Sequence, residues 1–514
     1  MFLYLQQNMN FSKKVHVLLI YHLNLCYSTC KAMTKTNEFN RKTEFIRIER
    51  ILLSKRSEFI YVRGRRRIGK SWILKSIANK HKNQCLYFMG APDQSSVKTQ
   101  KEFAQNWSSF SKDPYLENIK PGLLNWSSIF SHITNYVNTH QKKITLIFDE
   151  VQWIAKEGSG FVGHLKSSWL DWEKTGLIKV LICGSSNKFF HEKTGGEEKI
   201  LRGIKTQADV FVGPISLQQC KERFKKWNHT EVALMFMLTG GVPYYLNQID
   251  AGKAFIPAIN DAFFTSTSIY LSEVDEIISL EFNKQGSKTV KKILEAIGGF
   301  GCNEANIVKK TKLSKSTVHM VLEKLVSYKL VTAINSIDKD TLENFAGTKY
   351  LINDFYLNCY FSLIEPIKSK ISKNDDKILF HFPNENYYLP NFTGPLFEKL
   401  ITATLNERNL NLSIFKKLQI RSLDFEIKYY WNKESQIDLI IESKEDRISR
   451  AIEIKWQSLS ATNIHNLLEN LSTKDYPCPT YYTRQNFLIG LETTLSKNKI
   501  PENVITITDF LVEA

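Results

Sequence analysis

The chain has 514 residues, 43% apolar and 24% charged, ordinary globular usage that excludes wholesale disorder, a collagen-like repeat and a disulfide-stapled miniprotein. At roughly 100–200 residues per domain, this length calls for about three domains. Lysine plus arginine number 69 against 52 aspartate plus glutamate, a net charge of +17. That excess suits a polyanionic partner, nucleic acid before membrane, or simply reflects a lysine-rich composition. Eight cysteines without a paired spacing point to a reducing, cytoplasmic setting.

In chain order, residues 1–38 read as a leader or a misassigned start. The apolar run Val15 to Cys26 is broken by His16, His22 and Asn24, too short and too polar for a spanning helix, so no membrane association is expected. Cys26 and Cys30 have no second ligand pair nearby, which argues against zinc.

Residues 39–250 alternate strand and helix. Phe59 to Val62, Cys85 to Met89, Ile144 to Phe148 and Val180 to Cys183 are short apolar runs separated by helical stretches, among them Trp72 to Asn79. That rhythm predicts a parallel sheet covered on both faces. Gly64-Arg65-Arg66-Arg67-Ile68-Gly69-Lys70-Ser71 matches G-x-x-x-x-G-K-[ST] in full. Its glycines let the backbone curl so that N–H groups of the loop and of the following helix turn, through Trp72, face a phosphate. Lys70 neutralises the β/γ oxygens and the Ser71 hydroxyl coordinates Mg²⁺. The acid-ended strand that must accompany it is Ile144 to Phe148, with Asp149 expected to hold the metal and Glu150 to orient the attacking water. Ser185, in Gly184-Ser185-Ser186-Asn187 at the next strand tip, reads as a sensor of the γ-phosphate or as part of a turn of small residues. Arg202 and Lys205 are open to two readings, transition-state stabilisation or a solvated surface.

These segments, G-R-R-R-I-G-K-S, F-D-E-V-Q-W-I, C-G-S-S and T-G-G-V-P-Y-Y-L, resemble the archaeal-type (DEXX-box) ATPases of the AAA/STAND assemblage. The resemblance covers about residues 39–250 and implies an Mg-dependent ATPase, with ATP and Mg²⁺ as cofactors and a possible homo-oligomer. Relatives tend to carry a Gly-Arg pair where this chain reads Leu201-Arg202-Gly203-Ile204-Lys205, which departs from the pattern of an arginine finger. The Gly240-Gly241-Val242-Pro243 turn reads as one helix end meeting another start; the resemblance makes it a lever between domains.

Residues 251–340 read as helical. Ser287 to Ile297, Asn303 to Lys310 and Ser314 to Tyr328, followed by the strand Leu330 to Ile334, give an all-α winged helix-turn-helix over about 287–335 with a β-wing. Its third helix offers Lys315, Ser316, Thr317 and His319 to DNA, or else serves as a docking module. Residues 341–384 form a bridge, with Tyr350 to Pro366 aromatic-rich and helical and Lys368 to Lys377 a linker.

Residues 385–514 read as an α/β domain. A helix opens at Gly394-Pro395 and runs to about Asn406. Ile437 to Ile441 and Ala451 to Trp456 make a strand–turn–strand unit, with Ile452 and Ile454 on one face and Glu453 and Lys455 on the other. Asp438, followed about fifteen residues later by Glu453-x-Lys455, resembles the PD-(D/E)xK nucleases. That implies a restriction-endonuclease-like fold in which Asp438 and Glu453 bind a second Mg²⁺, Lys455 activates the nucleophile and Glu398 completes the shell. Ile437 stands where a proline usually precedes the first acid. The bland reading is a solvated strand face. The expected function is an ATP-hydrolysing protein that couples nucleotide state to a DNA-binding winged helix and a nuclease-like domain. The alternative is a nucleotide-gated regulator that only binds DNA or protein.

Overall fold

The computed structural model describes residues 41–514 except 121, 185–207, 283, 300, 338–346, 372–387, 433, 497–498 and 513–514. Residues 43–514 form one compact unit. Its first sheet contains β1 (Phe59–Arg63), β2 (Cys85–Met89), β3 (Ile144–Asp149), β4 (Ile178–Gly184) and β5 (Ala208–Phe211). The order is β2-β3-β4-β1-β5, every neighbouring pair parallel. β3 and β4 are buried along their whole length, as their unbroken apolar runs require of strands covered on both faces. The helices Ser96–Ser111, Trp126–His140 and Phe161–Thr175 contribute to a shared core with the sheet. Trp126 packs edge-on to Phe161 at 4.9 Å and Trp169 to Phe59 at 5.2 Å. Asn125 starts its helix through a reciprocal bond with Ser128, and Gly176, at φ 69°, ends the next.

Because β4 lies between β1 and β3, the loop after β1 and the acids at the end of β3 flank the tip of β4 at the carboxyl ends of the parallel strands. β5, four residues long, was not expected; it joins the β1 edge, pairing Ile60 with Ala208. The sensor residues Ser185, Ser186 and Asn187, with Arg202 and Lys205, lie outside the described residues.

The helix His229–Thr239 is buried nearly all round and ends at Gly240. A Cβ on Gly241 would lie 2.5 Å from the Ile215 carbonyl oxygen, so only glycine fits that turn. Three helices follow Glu273–Glu281: Lys284–Ile297, Glu304–Thr311 and Lys315–Ser327. Asn303 and Ser314 cap the last two through the N–H groups of Asn306 and Thr317. β6 (Val331–Ile334) and β7 (Lys349–Ile352) then form an antiparallel ribbon, so the region is three helices plus a β-ribbon rather than all-α. Tyr350 begins no helix: it sits in β7, and the helical part runs only from Phe355. Tyr356 and Tyr360 are buried in the core. Of the expected linker, Lys368–Ile371 is helical.

The last sheet has the order β12-β11-β10-β9-β8, with β8 (Phe425–Trp431), β9 (Gln436–Ser443), β10 (Ile448–Ile454), β11 (Thr483–Gly490) and β12 (Val504–Thr506). β8, β9 and β10 are antiparallel, and β10, β11 and β12 parallel. Two expectations change here. The helix spans Tyr388–Asn406 and carries Pro395 inside it, so the proline does not mark its start. And β10 ends at Ile454 and is buried on both faces from Ser449 onward, because the helices Tyr388–Asn406 and Ala461–Thr473 both contact it. The reading of Glu453 as a solvated strand face is thereby overturned, since Glu453 is 8% exposed.

Candidate functional site

The loop between β1 and the helix Lys70–Lys80 takes its shape from three positive-φ residues, Gly64, Arg67 and Gly69. A Cβ on Gly64 would stand 2.3 Å from the Val212 carbonyl oxygen, so the residue type is set by close backbone approach. Gly69 caps the helix without a side-chain bond, leaving the first-turn N–H groups and the positive end of the helix dipole for an anion. Lys70 is 4% exposed. Its Nζ donates to the carbonyls of Gly64 at 2.8 Å and Arg65 at 2.9 Å, and an ammonium has three donors. Burial pulls its pKa down, opposed by Cys183, Glu150 and Asp149.

Asp149 is fully buried at the end of β3. One carboxylate oxygen accepts from the Glu150 N–H at 2.9 Å and the other from the Tyr87 hydroxyl at 2.6 Å. Tyr87 has its pKa raised by burial and then by the Asp149 charge. Glu150 has φ 48°, a conformation that non-glycine residues seldom hold and that concentrates at functional sites, and its carboxylate accepts from the Gln152 amide. Cys183, one residue from the end of β4, is buried, and its thiol is pushed well up by that burial and by Asp149. Ser71 is partly buried in the helix's first turn, and Trp72 is 41% exposed. The Ser71 hydroxyl and the Asp149 carboxylate are both oxygen donors of the kind Mg²⁺ takes, so their chemistry suits that ion. Tyr87 and Cys183 went unnoticed in the sequence; each lies on a strand adjoining β3, and strand pairing alone could have pointed to them.

Ile68 is buried beneath the loop. The side chains of the three loop arginines are engaged elsewhere. Arg65 is ion-paired with Asp354, donates to the Tyr245 hydroxyl at 3.2 Å and lies 5.0 Å from that ring's centre. Arg66 reaches Glu276 at 2.9 Å. Arg67 pairs with Glu273 at 2.9 Å and Glu276 at 3.0 Å, over the Tyr244 ring. Tyr245 in turn donates to Glu273 at 3.1 Å, so the Tyr-Tyr after the Gly-Gly turn packs directly on the loop. The arginine side chains therefore join the loop to the helical region, and the loop backbone is what faces the phosphate position.

The second cluster lies in the last domain. Asp438 on β9 accepts from the Ile454 N–H at 2.9 Å. Lys455, just past β10, stands 3.5 Å from Asp438 and 2.6 Å from Glu453. Lys474, not anticipated, holds the other Glu453 oxygen at 2.9 Å. Burial raises the pKa of Asp438, reinforced by Glu453. For Glu453 burial also raises it, but the bonds from Lys455 and Lys474 outweigh that and its pKa is lowered. Glu398 is raised by burial, then by Asp438. Among the described residues no group of three or more His, Cys, Asp or Glu is arranged to hold a metal ion; the Lys455 ammonium occupies the space between the two carboxylates. Glu398, Asp438 and Lys455 border a cavity of about 920 Å³, together with Lys349, Lys399 and Trp431.

A parallel sheet with a glycine loop after β1, a buried lysine at its mouth and paired acids after β3 defines a P-loop nucleotide-binding domain. Residues 39–249 match the family described as an ATPase domain predominantly from Archaea, so fold, site and family agree on an ATPase domain there. Residues 360–467 match a family of archaeal and bacterial proteins of unknown function. The chain is 27% identical over 446 residues to Uncharacterized protein MJECL04 of Methanocaldococcus jannaschii, a match spanning 85% of this chain and 91% of that one. Among solved structures, it is similar to the Walker-type ATPase paby2304 of Pyrococcus abyssi (19% identity, TM-score 0.47, 63% of this chain and 96% of that one). It is also similar to the Aeropyrum pernix ORC2 protein (11% identity, TM-score 0.40, 66% of this chain and 96% of that one). Among the described residues no helix is long and apolar enough to cross a membrane.

Proposed function

We propose that this chain is a cytoplasmic, Mg²⁺-dependent ATPase that acts on nucleic acid. The observation that supports the ATPase reading is the meeting of Lys70, Asp149 and Glu150 at the carboxyl ends of the parallel strands. The phosphates lie against the loop backbone and the Lys70 ammonium. Ser71 and Asp149 hold Mg²⁺, which supplies charge neutralisation at the phosphates when bound, and Glu150 orients the attacking water. The helix Lys315–Ser327, with Lys315, Ser316 and His319 on its exposed face, is set for DNA contact as the third helix of a winged helix. The Asp438, Glu453 and Lys455 cluster is the nuclease-like centre, and Glu398 a neighbouring acid. Its cavity is of the size that takes a small ligand, and Lys349 and Lys399 on its wall are cations of the kind that meet a nucleic-acid backbone. Such a chamber suits an unpaired strand or a strand end rather than intact duplex.

Turnover of ATP by the purified chain, with and without DNA, tests the first part. Lys70→Ala and Glu150→Gln are expected to abolish it while DNA binding persists. Undiminished turnover in either variant overturns the site. Mg²⁺- or Mn²⁺-dependent cleavage of single-stranded against duplex oligonucleotides, lost in Asp438→Ala, tests the second.

A second reading rests on Lys455. Its ammonium and that of Lys474 already satisfy Glu453, which suits a domain that binds nucleic acid or protein without cutting it, with ATP setting its state. Single-strand binding without cleavage in either metal selects this regulator.

A further inference from the structure

The two candidate sites both touch one short segment, residues 352–355, which runs from the last residue of β7 into the helix Phe355–Cys359. From the phosphate-binding loop, Arg65 is ion-paired with Asp354. From the carboxyl-terminal domain, Lys399 donates to the Ile352 carbonyl at 2.7 Å, its ammonium stands 4.4 Å from the centre of the Phe355 ring, and it lies within the field of Asp354 and Arg65. Ile352, Asn353 and Phe355 are themselves walls of the 920 Å³ cavity. Lys399 and Glu398 are neighbours on the helix Tyr388–Asn406. Lys399 is held by this segment, while Glu398 lies within the field of Asp438, Lys455 and Glu453. The segment is also anchored to the Gly-Gly turn: the Phe355 ring lies 5.6 Å from that of Phe236, and a Cβ on Gly240 would come 3.1 Å from Phe355.

The loop end of this chain of contacts has a built-in trigger. Lys70 donates to the Arg65 carbonyl at 2.9 Å, so Arg65 is held by its backbone at the phosphate site and by its side chain at Asp354. The third Lys70 donor is left for a phosphate, and an anion that draws the ammonium toward itself alters the bond to the Arg65 carbonyl; that differential contact is what a ligand needs in order to shift an equilibrium.

We propose that residues 352–355 form a strap through which phosphate at the loop resets the carboxyl-terminal cavity. Arg65 and Asp354 are the coupling pair, and Lys399 carries the change to the helix bearing Glu398. This rests on the nucleotide reading of the loop and names the regulation of the second site. The coupling is reciprocal: a ligand that orders the cavity alters nucleotide affinity.

Hydrogen exchange of the full chain, with and without ATP or a non-hydrolysable analogue, tests it, and calorimetry measures nucleotide binding separately. Nucleotide is expected to change exchange severalfold in peptides covering 349–360 and 394–406. Asp354→Asn removes the charge yet keeps a good helix cap for the Leu357 N–H, and its folding is checked by circular dichroism. It is expected to bind nucleotide and to lose the response in 394–406. A wild-type response retained in Asp354→Asn overturns the strap. So does bound nucleotide with no change in either peptide. Absence of nucleotide binding by the wild type would instead remove the reading of the loop, and the strap with it.

Discussion

Gly64 shows how sharply a single residue constrains the loop. Its φ of 154° and the Val212 carbonyl beside it leave no room for a methyl group. Gly64→Ala is expected to cost about 1–3 kcal/mol in local strain and to abolish ATP binding, read by calorimetry with folding checked by circular dichroism. Lys399 sets a pH dependence. Burial pulls its pKa down to about 7, well below the usual lysine value of about 10.4 in an unfolded chain. Between those values the unfolded state binds the extra proton, so stability is lost as pH falls from about 10 towards 7 and the loss levels off below that. Comparing denaturation of the wild type with Lys399→Met across that window should show the slope in the wild type and a flatter curve in the variant. Equal slopes would remove the assignment. Residues of this kind were partly legible. The glycines and Lys70 belong to a contiguous motif whose chemistry is local. Asp354, Glu273 and Lys474 carry no local signal, because their partners are distant in sequence.

Between elements, the ion pairs from the loop arginines to Glu273 and Glu276 tie the loop to the helix Glu273–Glu281. Burial raises the pKa of Glu273, with Arg67 opposing it, so the pair is one in which each partner needs the other. A double-mutant cycle of Arg67→Ala and Glu273→Ala is expected to give a coupling energy of about 0.5–3 kcal/mol by denaturant titration. Additive single effects would mean the contact contributes nothing. Element boundaries were read best where capping chemistry is local, as at Asn303 and Ser314. They were read worst where packing overrides it. Pro395, a helix-start signal, sits inside Tyr388–Asn406. β5 is too short to show a period, and it exists because the β1 edge offers it unpaired backbone groups.

For the whole molecule, nucleotide binding is expected to raise stability by about 2.7 kcal/mol at a ligand concentration of about 100 times Kd. At about 2–4 °C per kcal/mol for a unit of about 150–250 residues and less for a larger one, the melting temperature should rise by a few degrees in wild type and stay put in Lys70→Ala. The net charge of +17 bears on the proposed partner. DNA affinity should fall linearly in log–log form with salt, by about 0.9 for each phosphate neutralised. Lys315→Ala should lessen that slope by about 1 if the residue touches phosphate. An unchanged slope would move the contact off this helix.

The amino-acid order by itself determined the phosphate-binding loop, the acid-ended strand, the parallel α/β rhythm and the acid pattern at Asp438, Glu453 and Lys455. Each of these depends on neighbours within a few residues or on strand and helix periods. Only the tertiary structure decided that the loop arginines grip the helical region, that Glu453 is buried and shared between two lysines, and that one segment touches both sites. Those outcomes depend on which distant side chains meet once the sheets are covered. Burial then fixes the pairing, because a charge removed from water must find a partner.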